Sequence, residues 1–478
     1  MINLKPDWFI IIEHSPYFKP KRQQEETMEK NAADFTTGKI FGPLFKFAGP
    51  VFIAMFLQVM YGAVDLLIVG KFGITADVSA VSTGSLLTTS ITRVIVCLSM
   101  GITILIGQFL GEGRKEECGS VIGGGIVLFF CIAAALSLLI PFCAPGLARL
   151  FNAPAEAFSG TVAYLRICMY GAVFIVAYNV LGSIMRGMGD SRTPLLSVII
   201  ACVLNIAGDY LLVAVFGMGS AGAAIATVFA QAVSVAICLL VIAKRKLPFR
   251  FTGKDIRFHK EIIASITKLG APLALQEMLL CISFLVILSI ANSIGLIVSA
   301  GVGVAEKICG FVMLIPMSLS QALSAFIAQN FGAGKDDRSV KSLRYAQGVS
   351  FAISLFMFWM VFFHGEILTG LFANDTDVIH TGAEYLKAYA IDCILAGFMF
   401  CFNGYFNGCG RTRFVMVQGT IGSFGVRIPI AYIMSQQIPV NVFHIGLATP
   451  AATFIQCILC SGYFILMHRN FKIKHSLS

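Results

Sequence analysis

The sequence predicts an all-α integral membrane protein with twelve transmembrane helices arranged as two parallel six-helix lobes. Three observations predict it. Of 478 residues, 57% are hydrophobic and only 13% charged, where a soluble domain carries about 25% charged residues. Apolar runs long enough to cross the hydrocarbon core recur twelve times, at about 44–70, 78–109, 119–142, 161–186, 193–216, 220–243, 262–293, 296–330, 343–364, 381–407, 414–435 and 443–467. The second six spans also repeat the first six at an offset near 221. GQFLGEGRKEE (107–117) matches AQNFGAGKDDR (328–338), LARLF (147–151) matches LTGLF (368–372), and RGMGDSR (186–192) matches NGCGRTR (407–413). Six is an even number, so the two halves keep one orientation, an architecture in which substrate is held between halves.

In chain order, residues 1–43 form a polar amino-terminal tail. Its WFIII is too short for a secretory h-region, and Met28 opens a second start at MEKNAADFTTGKI. Residues 1–27 are accordingly expected to be disordered or untranslated. Residues 44–243 form the first lobe, 244–261 a basic linker, 262–467 the second lobe and 468–478 a tail. Lys and Arg gather on alternate loops: Arg114 and Lys115, Arg186 and Arg192, KRKLPFRFTGKDIRFHK, GKDDRSVKSLR and GRTR. The opposite loops carry KFGITAD, VFGMGSA, NSIG, Glu156, Glu366, Asp375 and Asp377. By the positive-inside rule the basic side is cytoplasmic and both termini lie there. The formal charge of +10 is thus topological, and nucleic acid is not the expected partner. The fourteen cysteines scatter through apolar spans, and CxxC at Cys457 and Cys460 has no partner pair, so small apolar packing is expected of them.

An ionisable group at membrane depth costs several kcal/mol and marks a functional site by default. In the first lobe the clear cases are Asp65 and Asp209. Gln58, Tyr61 and Asp65 share one face of the first helix, Asn205 and Asp209 one face of the fifth, and Thr227 and Gln231 one face of the sixth. These faces supply oxygens and amides, which suit a hard monovalent cation or a proton. Two adjacent carboxylates cannot both stay ionised cheaply, so a proton or a cation such as Na⁺ at Asp65, Asn205 and Asp209 is expected. Hydrogen bonds that merely pack helices are the alternative for Gln58, Thr227 and Gln231. The second lobe has Ile287 and Ile430 at the positions paralleling Asp65 and Asp209. Its own ionisable candidates are Glu277, the adjacent Glu306 and Lys307 (readable as a neutralised pair), Asp392 and Arg427, which is placed to bond carbonyls. Arg93, in the second span, has no visible partner.

SIMRGMGDSRTPLLSVIIACVLNIAGDYLLV (183–213), GAAIATVFAQ (222–231), QVMYGAVDLLIVG (58–70) and SLSQALSAFIAQNFGAGKDDR (318–338) resemble the MATE (multidrug and toxic compound extrusion) family, over about residues 36–470. The wider superfamily also holds lipid-linked oligosaccharide flippases. By motif, the resemblance places Asp65, Asn205, Asp209 and Thr227 at an amino-lobe cation site, with Tyr61 and Gln58 beside it. It implies a monomeric secondary antiporter in the bacterial cytoplasmic membrane. Such a protein exchanges Na⁺ or H⁺ for small organic, often cationic, compounds and uses no other cofactor. Eighteen methionines and forty-one phenylalanines suit a flexible apolar cavity for flat cations. No GxxxxGK[ST] loop for ATP is present. The alternatives weighed are a flippase for a lipid-linked saccharide, with Lys307, Arg93 and Arg427 lining a basic cavity; a membrane enzyme, disfavoured by isolated histidines; and a passive channel, disfavoured by the buried carboxylates.

Overall fold

In a membrane the chain must satisfy its own backbone hydrogen bonds, which long helices do within each segment. The computed structural model describes residues 34–244, 249 and 251–476; the expectation for residues 1–27 falls outside these. The helices are α1 (Phe41–Phe72), α2 (Thr75–Gly111), α3 (Lys115–Leu150), α4 (Ala155–Tyr170), α5 (Ala172–Gly187), α6 (Arg192–Asp209) and α7 (Gly219–Lys244), followed by α8 (Lys260–Ile294), α9 (Leu296–Val312), α10 (Leu314–Gly332) and α11 (Asp336–Phe363). The chain continues through a short α12 (Gly365–Gly370), α13 (Thr376–Gly408), α14 (Thr412–Thr420), α15 (Ile428–Ser435), a short α16 (Val442–Gly446) and α17 (Ala448–Ser476). No strand occurs among the described residues.

Eleven helical segments are long and apolar enough to cross a membrane, and a twelfth forms if α4 and α5, bent by 56°, count as one span. Each falls on a predicted run. The bend is at Gly171, where a Cβ would strike Val228 of α7. Two spans carry a π-helical turn, Tyr210–Val215 after α6 and Ile421–Arg427 between α14 and α15. Such bulges concentrate at functional sites.

Within the first half, α1 packs on α6, α6 on α7, and α2 on α4 and α5. Within the second, α13 packs against α9, α10 and α11, and α8 against α14. The halves meet where α8 lies along α2 and, reciprocally, where α10 lies along α1 and α2. One apolar core spans this seam. Leu44, Phe47 and Val51 of α1, Ile104 of α2, Leu273 of α8, and Leu319, Leu323 and Phe326 of α10 are all buried in it.

The closest approaches lie toward the end of the bundle that bears the basic loops. A Cβ on Gly270 would run into the Leu98 carbonyl, one on Gly111 into that of Gln329, and one on Gly332 into that of Gln108. Small residues at such positions let backbones touch, which is how helices associate where hydrocarbon removes the hydrophobic drive between them. Gln108 Nε2 donates to Gly408 O at 3.0 Å and Gln329 Nε2 to Gly187 O at 3.4 Å, each across the seam.

The segment before α1 seals this end. Phe35 is fully buried and stacks on Phe326 at 4.8 Å between ring centroids. Its N–H donates to Gln329 Oε1, and its carbonyl accepts from Asn330 Nδ2 and Arg338 Nε. Arg338 also donates to the Thr37 and Gly38 carbonyls, and Lys335 to that of Thr36. At the other end Leu86 of α2 and Leu285 and Leu288 of α8 are exposed.

Gly332→Ala is therefore expected to pry open the basic end, because the atom its Cβ meets is backbone and cannot rotate away. Hydrogen exchange should show amides of 104–111 and 322–332 exchanging at least tenfold faster in the variant. Unchanged protection would mean that the seam yields without opening.

Candidate functional site

Three helices of the first lobe bring the sequence-predicted residues together. α1 supplies Gln58, Tyr61 and Asp65, α6 supplies Asn205 and Asp209, and α7 supplies Thr227 and Gln231. Gly208 lets α6 approach Ala226 of α7 closely, which sets Asn205 Nδ2 3.4 Å from Thr227 Oγ1. Asp65 is 5% exposed, Asn205 2% and Asp209 0%. Asp65 lies beside Asp209 and Asn205. Both oxygens of Asp209 and one of Asp65 are buried without a donor. A proton or a bound cation would relieve this arrangement.

Both carboxylates lie nearer the end of the bundle opposite the basic loops: Asp65 is seven residues from the end of α1 at Phe72, and Asp209 directly precedes the π-turn. Beside them is a small cavity, room for about one water, lined by Tyr61, Tyr178, Asn205, Thr227 and Gln231, among others. Gln231 lies beside Tyr61 in its lining, and Gln58 Nε2 donates to the Tyr178 hydroxyl at 3.4 Å. Tyr178, on α5, is the residue that sequence reasoning missed. Its signal was a single polar hydroxyl in the apolar run VFIVAYNVLG, too common an occurrence to single out.

The second lobe has no equivalent. Ile287 and Ile430, the counterparts of Asp65 and Asp209, share one apolar cluster with Ala431 and Ile445, so packed hydrocarbon fills the place. The remaining polar groups lie elsewhere, and two expectations need correction. Glu306 and Lys307 do not neutralise each other: Glu306 turns into the lobe, where it accepts from the Tyr385 hydroxyl at 3.0 Å, and Lys307 is exposed, since neighbours on a helix face different ways. Arg427 is not occupied with carbonyls through Nε and Nη1, which have no partner; its guanidinium lies over the Phe284 ring at 4.6 Å. Asp392 is buried, with Oδ1 lacking a donor. Arg93 does have a partner, Glu277, at 3.8 Å across the seam.

Comparison with known proteins agrees with this fold. The sequence profile of the MatE family matches the chain twice, over residues 50–211 and 272–433, and the second match starts and ends 222 positions after the first. A relative from Bacillus subtilis (strain 168), the probable multidrug resistance protein YpnP, is 29% identical over 406 residues, covering 84% of this chain and 90% of its own. Another from the same organism, the probable multidrug resistance protein YoeA, is 25% identical over 89% of this chain and 94% of its own. The multidrug export protein MepA of Staphylococcus saprophyticus is 26% identical over 84% and 88%. Among solved structures, a MOP superfamily transporter from Pyrococcus furiosus superposes with a TM-score of 0.87 at 20% identity, covering 93% of this chain and 99% of its own. A multidrug resistance MATE family transporter of that superfamily, solved outward-facing, gives 0.86 at 20% identity, covering 92% and 98%.

Asp209→Asn removes one of two facing charges while keeping the shape, and its amide supplies the missing donor to Asp65. The variant is expected to melt no lower than the parent. Radioactive Na⁺ binding, or proton release on titration of the purified protein, should fall by one site. A melting temperature several degrees lower, with ion binding unchanged, would make the pair structural.

Proposed function

This chain belongs to the MatE family, and on that premise we propose that it is a multidrug efflux antiporter driven by a cation bound at Asp65 and Asp209. The observation that carries this reading is the buried carboxylate pair, three of its four oxygens without a donor, present in one lobe and replaced by isoleucines in the other. If the basic loops are cytoplasmic, as the positive-inside rule directs, the close-packed end of the seam faces the cytoplasm. The carboxylates then stand in the outward half of the first lobe.

Coupling follows from differential binding. A ligand shifts an equilibrium between two conformations only through unequal affinity for them. With Na⁺ or H⁺ at Asp65 and Asp209, α1, α6 and α7 hold together around a neutralised centre. Without the ion, two carboxylates repel each other inside the lobe. The π-turn beginning at Tyr210 lets α6 adjust its register beside Asp209, and α1, which also packs on α10, carries the change to the seam. One charge moving across 100 mV supplies about 2.3 kcal/mol, enough for more than a decade of substrate gradient.

Proteoliposomes loaded with a panel of fluorescent amphiphilic dyes test this. An imposed Na⁺ gradient or pH gradient should drive dye movement at least tenfold above the ungraded rate, and Asp209→Asn should abolish the stimulation. Equal rates with and without either gradient, in correctly inserted protein, would remove cation coupling.

A further inference from the structure

Basic side chains near the end of a membrane span ordinarily reach outward, keeping the charged head in water. Arg192, at the start of α6, is exposed in that way. Arg186 does the opposite. It is the last residue but one of α5, yet its guanidinium folds back along the helix into the lobe. A Cβ placed on Gly182, a full turn farther from the basic loops, would lie 3.2 Å from Arg186 Nη1. The Cα–Cβ bond of a helical residue tilts toward the amino end, which on α5 points away from those loops, and Ser183 holds the side chain there. Arg186 Nη2 donates to Ser183 Oγ at 2.8 Å. That hydroxyl is fully buried and shares a 2.7 Å hydrogen bond with Ser99 of α2. Among the described residues no carboxylate forms an ion pair with Arg186.

A file of neutral polar groups runs between this cation and the carboxylate pair. One turn from Asp65 and Asp209, toward the basic end, stand Tyr61 and Asn205, with Thr227 beside Asn205 at 3.4 Å. The small cavity follows, which these three share with Gln231 and Tyr178. Tyr178 accepts from Gln58 and is the neighbour on which the Arg186 charge acts. Arg186 lies two turns beyond Tyr178 on the same helix. The file therefore begins at two carboxylates and ends at one guanidinium.

Such a file works against an antiporter. An ion that slips from the carboxylates through the lobe to the cytoplasm dissipates the gradient without moving substrate. Hydroxyls, amides and a water can relay a proton, and oxygens can accompany Na⁺. A fixed positive charge at the inner end repels both, most strongly where little water screens it. An arginine that excludes protons and cations from a pore acts by the same repulsion.

We propose that Arg186 is a coupling residue: the electrostatic block at the inner end of the first lobe, which keeps an ion at Asp65 and Asp209 from reaching the cytoplasm until the halves rearrange. An ionisable group turned into a span is costly unless it has a task, and this one is met by the charge alone. The inference rests on the cation-coupled reading above, but concerns leak in the absence of substrate.

The test uses proteoliposomes of the full chain with no substrate present. A Na⁺-sensitive dye inside follows an imposed Na⁺ gradient, and pyranine inside follows a pH gradient. The parent should hold both gradients. Arg186→Gln keeps a donor for Ser183 but not the charge, and should raise entry of the coupling ion about tenfold; Arg186→Met serves if the glutamine variant fails to insert. Arg186→Lys keeps the charge and should stay near the parent rate. Adding Asp209→Asn to the leaky variant should restore the parent rate, because the route passes the carboxylates, whereas leak from a loosened fold would persist. An uncharged variant as tight as the parent, a lysine variant as leaky as the uncharged one, or a leak that survives Asp209→Asn would each overturn the proposal while leaving antiport intact. A parent that shows no gradient-driven dye movement would remove the coupling reading, and this proposal with it.

Discussion

Asp65 and Asp209 are buried together inside the first lobe with three of their four oxygens lacking a donor, and the candidate site is built around them. A carboxylate stripped of water and left unpaired costs several kcal/mol, so the pair demands a proton or an ion. Everything around it holds the demand in place. Gly208 brings α6 against α7 so that Asn205 and Thr227 close one side. The π-turn that starts at Tyr210 leaves α6 locally adjustable immediately beyond Asp209.

The internal repeat makes the specialisation visible. Both lobes descend through the same order of spans and both have a π-turn in the fifth, yet the chemistry placed there differs. One lobe holds facing carboxylates; the other packs Ile287 and Ile430 into hydrocarbon and sets its buried Arg427 over an aromatic ring.

The seam between the halves is the second consequence of a waterless surrounding. Helices there cannot be driven together by excluding water from apolar faces, so close backbone contact at glycines and a few carbonyl-directed amides supply the association. These contacts all lie toward the basic end, where Phe35 and its hydrogen-bonded segment close the remaining gap. Above them the Arg93–Glu277 pair, 3.8 Å apart, adds an ion pair across the seam.

Much of this was legible in the linear sequence. The twelve spans followed from length and hydropathy, because a helix must be about twenty residues long to cross hydrocarbon. The repeat followed from matched motifs, and the faces bearing Gln58, Tyr61, Asp65, Asn205, Asp209, Thr227 and Gln231 followed from the 3.6-residue period, which fixes neighbours along one helix. That period says nothing about which helix lies opposite. The family resemblance had already put Asp65 and Asp209 in one site; only the tertiary structure set Tyr178 beside Gln58 in the adjoining cavity. It likewise paired Arg93 with a glutamate 184 positions away and turned Glu306 and Lys307 to opposite sides. The halves' closure at one end was equally invisible, since it depends on which glycine meets which carbonyl across a seam. Local periodicity determines what each helix presents; packing between helices determines what it is presented to.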